Sequence, residues 1–284
     1  REDALAERVY APWVDMEAEL RKAGLPLMAL ESGRPLSEFD LVGFTLQYEL
    51  SYTNVINMLD LGGIPRFSWE RSDADPLVMA GGPCAYNVEP LADFLDFVVL
   101  GEGEEVIHEI VAAVQQARAE GLSRQDVLLR LSRIPGVYVP SFYEVKYDAE
   151  GRFAGITPYV EGVPARITKR VVKDLSQAEY PEEFVVPYVD VVHDRVMVEV
   201  LRGCTRGCRF CQAGMIYRPV RERSPEILKD QVRRLVEATG YDEISLTSLS
   251  SGDYTCIEPL VSELVEEYKD RGIAVSLPSL RLDS

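Results

Sequence analysis

Three cysteines fall within eight positions of the stretch RGCTRGCRFCQAGM, residues 202–215, separated by three residues and then by two. The run RVMVEVL ahead of it alternates like a strand, and Ser224-Pro225 further on opens a helix with a serine N-cap and proline at the first helical position. The three thiols therefore sit on a strand-to-helix crossing. Gly203 and Gly207 make the stretch a loop, which lets its side chains turn toward a common centre. A chain with this feature must hold a β/α unit whose strand end presents Cys204, Cys208 and Cys211 together.

Three thiolates at this spacing, with no fourth close behind, restrict the chemistry. Structural zinc takes four ligands, commonly as paired CxxC units, and neither His193 nor Cys256 stands at a usual spacing. A cysteine nucleophile needs a base, and the chain has only His108 and His193. A cubane iron–sulfur cluster has four irons, so three cysteines leave one iron open to another ligand. Five cysteines, an odd number with no secretory leader, do not read as a disulfide framework, and reduced cytoplasmic thiols are the expectation. Cys84 and Cys256, far from the trio, read as buried, inert thiols.

A net charge of −17 argues against broad nucleic-acid binding. The charge is uneven: seven arginines (195, 202, 206, 209, 218, 221, 223) stand against Glu199 and Glu222 between positions 195 and 223. That basic island is either a solvated surface or the neighbourhood of an anionic ligand. No apolar run approaches the roughly 18 residues a membrane span needs. The opening REDALAERVYAPW has neither an initiating methionine nor a signal-peptide pattern, so it reads as the start of a fragment.

The N-terminal half alternates strands and helices. Helices are expected at 12–24, 51–63, 104–120 and 121–134, and strands at 25–30 (LPLMAL), 39–46 (FDLVGFTL), 76–82 (PLVMAGG) and within 94–104 (FLDFVVLGEGE). This order predicts a doubly wound α/β sheet, with ligands beyond the strand ends at 45–52, 81–86 and 101–104. Gly81, Gly82, Gly101 and Glu102 are the candidate contacts there, although tight strand-to-helix turns need glycine on their own account. A β-hairpin is expected around Asp148–Gly151, followed by a proline-bearing linker. From 194 the pattern runs strand, helix, strand, helix, strand, the opening of a parallel β/α barrel or sheet that three strands cannot close. The expected domains are 1–134, a hairpin and linker at 135–193, and 194–284.

The Cx3CxxC spacing, with Phe210 just before the last cysteine and a strand before the first, resembles the radical S-adenosylmethionine (SAM) superfamily. The resemblance implies a [4Fe-4S] cluster on Cys204, Cys208 and Cys211, with the amine and carboxylate of SAM on the fourth iron. It also implies an external one-electron reductant and cleavage of SAM to a 5′-deoxyadenosyl radical. FCQAGMIYRPVRERSPE, residues 210–226, resembles the region after the cluster motif in the methylthiotransferase-like branch. SLSSGDY, residues 248–254, lies where the superfamily has a GGE-type motif, and this chain departs from that motif. Phe210, Ser250, Ser251, Gly252 and Asp253 are the SAM contacts the resemblance implies, with a strand-end turn and Asp253 as a helix cap as the plain alternative. The pieces FDLVGFTLQYELSYTN, VMAGGPCAYNVEP and DFVVLGEGE resemble a cobalamin-binding-like Rossmann domain that lacks its first strand. No DxHxxG sequence is present, so cobalamin would have to bind without that histidine. Methyl or methylthio transfer to RNA, protein or a small molecule is the implied activity. An iron–sulfur electron carrier or sensor, its fourth ligand Cys256 or one from a missing segment and its N-terminal domain a docking platform, is the alternative. The residues name neither the substrate nor a catalytic side chain.

Overall fold

The computed structural model describes residues 3–189 and 191–281, and its chain divides into two units, residues 1–171 and 172–284. In the first unit the apolar runs become strands β1 (Leu41–Thr45), β2 (Leu77–Gly81) and β3 (Phe97–Val99), joined at the edge by β4 (Val137–Tyr138). The order is β1-β2-β3-β4. The first three are parallel, with Leu41 beside Leu77 and Met79 beside Phe97, and β4 runs antiparallel to β3.

The pleat divides this sheet between two apolar layers. Val42, Val78, Ala80 and Val98 pack into one layer with α1 (Val14–Ala23), through Leu20, and with α2 (Tyr52–Leu61), through Val55, Met58 and Leu59. Leu77, Phe97 and Val99 face the other, beneath α3 (Gly103–Ala119) and α4 (Arg124–Leu131). On α3, Val106, Ile110, Val114 and Ala117 follow helical spacing and are buried. Burying a side chain of the size of Ile110 stabilises by about 1.5–3 kcal/mol.

Three sequence expectations change here. Residues 25–30 form no strand and make one bridge, Met28 to Pro35, because Pro26 and Pro35 withdraw backbone donors and Leu27 turns inward to the core. Among the described strands the order never reverses, so both faces are covered without a topological switch point. The hairpin β5 (Tyr143–Tyr147) and β6 (Phe153–Pro158) belongs to the first unit, and the division falls between Val171 and Val172 instead of setting 135–193 apart.

The second unit holds β7 (Val196–Glu199), β8 (Leu201–Arg202), a short α5 (Ala213–Ile216), β9 (Arg221–Glu222), α6 (Pro225–Thr239), β10 (Glu243–Thr247), α7 (Ile257–Tyr268) and β11 (Ala274–Ser276). Its sheet has the order β11-β10-β7, all parallel, with α6 and α7 as crossovers. Ser224 caps α6 by accepting from the Ile227 N–H at 3.4 Å, and Gly240 ends it in a left-handed conformation. Leu228, Val232, Leu235 and Val236 of α6 pack with Val196, Val198, Ile244 and Leu246 of the strands. The run read as one strand breaks at Val200. Its N–H bonds Thr247 and its carbonyl accepts from Arg223, which redirects the chain from β10 toward β9 and into the cysteine loop.

Candidate functional site

The cysteine loop leaves β8 at Gly203, whose φ of +97° is open to glycine and strained for other residues. A Cβ there would lie 2.5 Å from the Pro219 carbonyl oxygen and 2.6 Å from that of Tyr217. Glycine is thus what allows the returning segment to close the base of the loop. Cys204 and Cys211 are half-buried, Cys208 is exposed, and none is in a disulfide. The Cys211 N–H donates to the Cys208 carbonyl at 3.0 Å, which sets the last turn.

Among the described residues no three His, Cys, Asp or Glu side chains converge as they would on a single ion. A cubane cluster asks for something different, since each cysteine binds a separate iron. Three free thiols on one glycine-based loop at the end of a parallel strand match that donor set.

Arg206 lies between the first two cysteines and reaches across to the turn after β10. Its Nε donates to Asp253 Oδ2 at 2.8 Å and a second N–H donates to the other carboxylate oxygen. The guanidinium pulls the Asp253 carboxyl down to about 2. Asp253 is not a helix cap: the N-cap of α7 is Cys256, which makes no side-chain cap bond. The turn Ser251–Asp253 is otherwise built inward. Ser250 is buried, and Ser251 is fully buried with its hydroxyl donating to the Pro278 carbonyl at 2.6 Å, near Ser248 Oγ at 2.9 Å. The Ser251 hydroxyl therefore ties the β10 turn to the chain beyond β11, while Gly252 is exposed. Phe210 stands 93 % exposed beside the loop.

Most of the basic island is engaged inside the second unit. Arg195 pairs with Glu243 at 2.7 Å, Arg202 with Glu199 at 2.8 Å, and Arg206 with Asp253. Arg221 donates to the Val172 carbonyl at 2.6 Å. Arg223 is buried, its Nε donating to the Glu199 carbonyl at 3.3 Å and its charge 5.6 Å from the Tyr180 ring. Neither reading of the island offered by the sequence covers this: these arginines are chiefly the ties that hold β7, β9 and the loop in place. Cys256, the other cysteine of this unit, is partly buried against the apolar core.

In the first unit the candidate glycines hold protein instead of open space. A Cβ on Gly82 would stand 2.8 Å from the Leu46 carbonyl oxygen, and one on Gly101 2.2 Å from that of Arg170. The Glu102 N–H donates to the same Arg170 carbonyl at 3.2 Å, and Gly81 makes ordinary contact with Val99. A cavity of about 250 Å³ does lie past the ends of β2 and β3, lined by Ala85, Tyr86, Val88, Glu89, Leu100, Tyr138, Tyr143, Ile156, Ala165 and Ile167. None of the four predicted contacts lines it. Sequence reasoning did not single out Arg170, and it placed Arg206 only among the seven arginines of the basic island, with no sign of its partner Asp253. Cys84 is buried beside this region, and desolvation pushes its thiol up.

Comparison with known proteins gives matches over most of the chain. Residues 1–140 match the family described as radical SAM proteins, N-terminal, and residues 198–284 match the radical SAM superfamily. An uncharacterized protein of Methanocaldococcus jannaschii, MJ0966, is 26 % identical over 269 residues, covering 94 % of this chain and 50 % of that one. Threonylcarbamoyladenosine tRNA methylthiotransferase MtaB of Bacillus subtilis is 34 % identical over 84 residues, 29 % of this chain and 18 % of that one. Among solved structures, the radical SAM methyltransferase TsrM of Kitasatospora setae, with cobalamin and a [4Fe-4S] cluster bound, superposes with a TM-score of 0.50 at 18 % identity, over 90 % of this chain and 45 % of that one. The chain spans half or less of the length of each of these relatives.

Proposed function

We propose that this chain, which belongs to the radical SAM superfamily, is the cluster-bearing part of an enzyme that cleaves SAM reductively and modifies a substrate by methyl or methylthio transfer. The observation that carries this reading is the set of three free thiols, spaced by three and two residues, on one loop that leaves β8 just past the parallel strand β7. A [4Fe-4S] cluster held by Cys204, Cys208 and Cys211 would supply the single electron for reductive cleavage of the SAM sulfonium, with methionine as the leaving group.

The chain's own residues supply the rest. Cys204, Cys208 and Cys211 hold three irons as thiolates. Gly203 admits the tight loop base, and Arg206 with Asp253 joins that loop to the second strand's turn. Phe210 and Gly252 are exposed on the loop and on that turn, with Ser250 buried beside them. Cys256 packs against the core of its unit, which supports a fourth iron left for SAM over an electron carrier ligated by four cysteines. An external one-electron donor completes the cycle.

Cobalamin enters by the likeness to TsrM, whose structure holds it. The fit in this chain is poor: no DxHxxG sequence is present, and the cavity of about 250 Å³ lies below the range of even drug-sized pockets. The likeness to MtaB favours RNA among the substrate classes. The engagement of Arg195, Arg202, Arg206, Arg221 and Arg223 inside the fold leaves less of the island for a phosphate backbone.

The test is electron paramagnetic resonance on anaerobically reconstituted, reduced protein with and without SAM, together with assay for 5′-deoxyadenosine. A [4Fe-4S]+ signal that changes shape with SAM, and is lost when any one of the three cysteines becomes alanine, is the expected result. A signal indifferent to SAM would turn the reading toward electron transfer or sensing.

A further inference from the structure

Within the second unit, residues 176–182 lie against the first two turns of α6 and form with them a cavity of about 540 Å³, inside the range of small-molecule pockets. The segment is tied at both ends: the Ser224 N–H donates to Ser176 Oγ at 3.2 Å, and Arg234 pairs with Glu182 at 2.6 Å. Four carboxylates line the cavity, those of Glu179, Glu182, Glu226 and Asp230, and no lysine or arginine does. Arg233 and Arg234 match Asp230 and Glu182 from outside, whereas Glu179 and Glu226 make no ion pair among the described residues. Gln231 lines the same cavity at 8 % exposure, and its Oε1 has no hydrogen-bond partner among the described residues. A buried amide oxygen without a donor is costly, so its place in a fold asks for an explanation.

We propose that this cavity is a second binding site, for a small organic polyamine, with ammonium groups held by Glu179 and Glu226 and a further N–H donated to Gln231 Oε1. An ammonium brings three donors and no acceptor, so one kind of group satisfies both the carboxylates and the unpaired amide oxygen. An anion would meet four like charges. A single metal ion fits less well, because no three His, Cys, Asp or Glu side chains converge on one point among the described residues. The first turn of α6 favours negative charge, and Glu226 supplies it from the protein. The cavity shares no residue with the cysteine loop or with the Ser251–Asp253 turn, so this site does not rest on the enzyme reading above.

The test is isothermal titration calorimetry of the whole chain with 1,4-diaminobutane and with spermidine, at matched ionic strength. Saturable binding at one site is expected, and it should weaken as KCl is raised because the carboxylates border solvent. Glu179→Gln combined with Glu226→Gln should raise Kd by about tenfold or more, the scale of charged hydrogen bonds. Gln231→Met keeps the length of the side chain and removes the acceptor. It should raise Kd by about fivefold and leave the melting temperature of the free protein unchanged or higher, because an unpaired buried oxygen is gone.

Absence of saturable binding of either amine up to about 10 mM overturns the proposal. So does magnesium chloride binding as tightly as the diamine, which would make the cavity a general counter-ion site. A lowered melting temperature in Gln231→Met with Kd unchanged would give the amide a structural role alone, and the proposal falls. Should Gln231→Met not fold, the double carboxylate variant decides, since both of its altered side chains are exposed: a raised Kd supports the site and an unchanged one overturns it.

Discussion

The Cα of Gly101 faces Arg170 so closely that a Cβ built on it would stand 2.2 Å from the Arg170 carbonyl oxygen and 2.6 Å from its amide nitrogen. The residue with the look of a ligand-contact glycine instead admits a second stretch of backbone. Arg170 in turn donates its N–H to Leu100 at 2.8 Å and its side chain pairs with Glu109 at 2.7 Å. Gly101→Ala would add this clash to the strain of a φ of +107°. We expect a loss of about 3 kcal/mol, the sum of strain and overpacking at such a site. Calorimetry should then show a melting temperature lower by roughly 10 °C for a unit of this size. A glycine reserved for a ligand would show only the smaller loss that comes from the φ strain.

Asp96 is the charged centre of the first unit. Its side chain is 1 % exposed and accepts from Arg71 at 2.9 Å, Arg124 at 2.7 Å and the Val78 N–H at 2.6 Å. Arg71 is itself fully buried, with the carbonyls of Pro65, Arg66 and Phe94 as its other partners. Asp96→Asn keeps the shape and removes the charge, leaving Arg71 uncompensated. The expected cost is about 3–5 kcal/mol, read by urea denaturation. Asp96→Glu should be no rescue, because the Val78 bond holds the carboxylate close to the strand.

The Arg206–Asp253 pair should show in the pH dependence of stability. Hydrogen bonding to Arg206 lowers the Asp253 carboxyl from 3.8 to about 2 in the folded chain. A depressed carboxyl contributes stability that is complete above the unfolded value and is lost as pH falls through the folded one. The stability gap between wild type and Asp253→Asn should therefore be flat from pH 7 to about 5, narrow below pH 4, and be mostly lost as pH falls through about 2. Denaturation of cluster-free protein across that range measures it. A gap that widens on acidification would contradict the assignment.

Thiol chemistry separates the five cysteines. Cys208 is exposed, whereas Cys84 is buried and its thiol pushed up by desolvation, with the nearby Glu49 adding to the shift. The thiolate is the reactive form, so iodoacetamide at pH 8 should label Cys208 of cluster-free protein first and leave Cys84 intact until unfolding. Peptide mass spectrometry over a time course reads the order. Reconstitution with iron and sulfide should protect Cys204, Cys208 and Cys211 together and leave the labelling of Cys84 unaffected.

Much of the framework was legible in the residues. The apolar runs at 39–46 and 76–82 and the helical spacing at 104–120 predict elements that form within a few residues of those limits. The run at 25–30 misled because period alone does not register the two prolines that bracket its pairing edge. The hairpin was visible as a turn between alternating segments, but its membership of the first unit was not. Glycine at 82 and 101 carries the same letter whether it makes room for a ligand or for Leu46 and Arg170.

By itself the sequence determined that three thiols share one loop at a strand end, that glycine stands at its base, and that strands and helices alternate on both sides. These are properties of spacing and local backbone preference, and they survive without knowledge of what packs where. Only the tertiary structure decided that Arg206 meets Asp253, that the Ser251 hydroxyl is spent on the Pro278 carbonyl, and that Arg170 fills the space beside Gly101. Each of these joins residues far apart in the chain. Such a pairing depends on where the sheet and its crossovers bring two backbones within hydrogen-bond reach, and no local pattern encodes that distance.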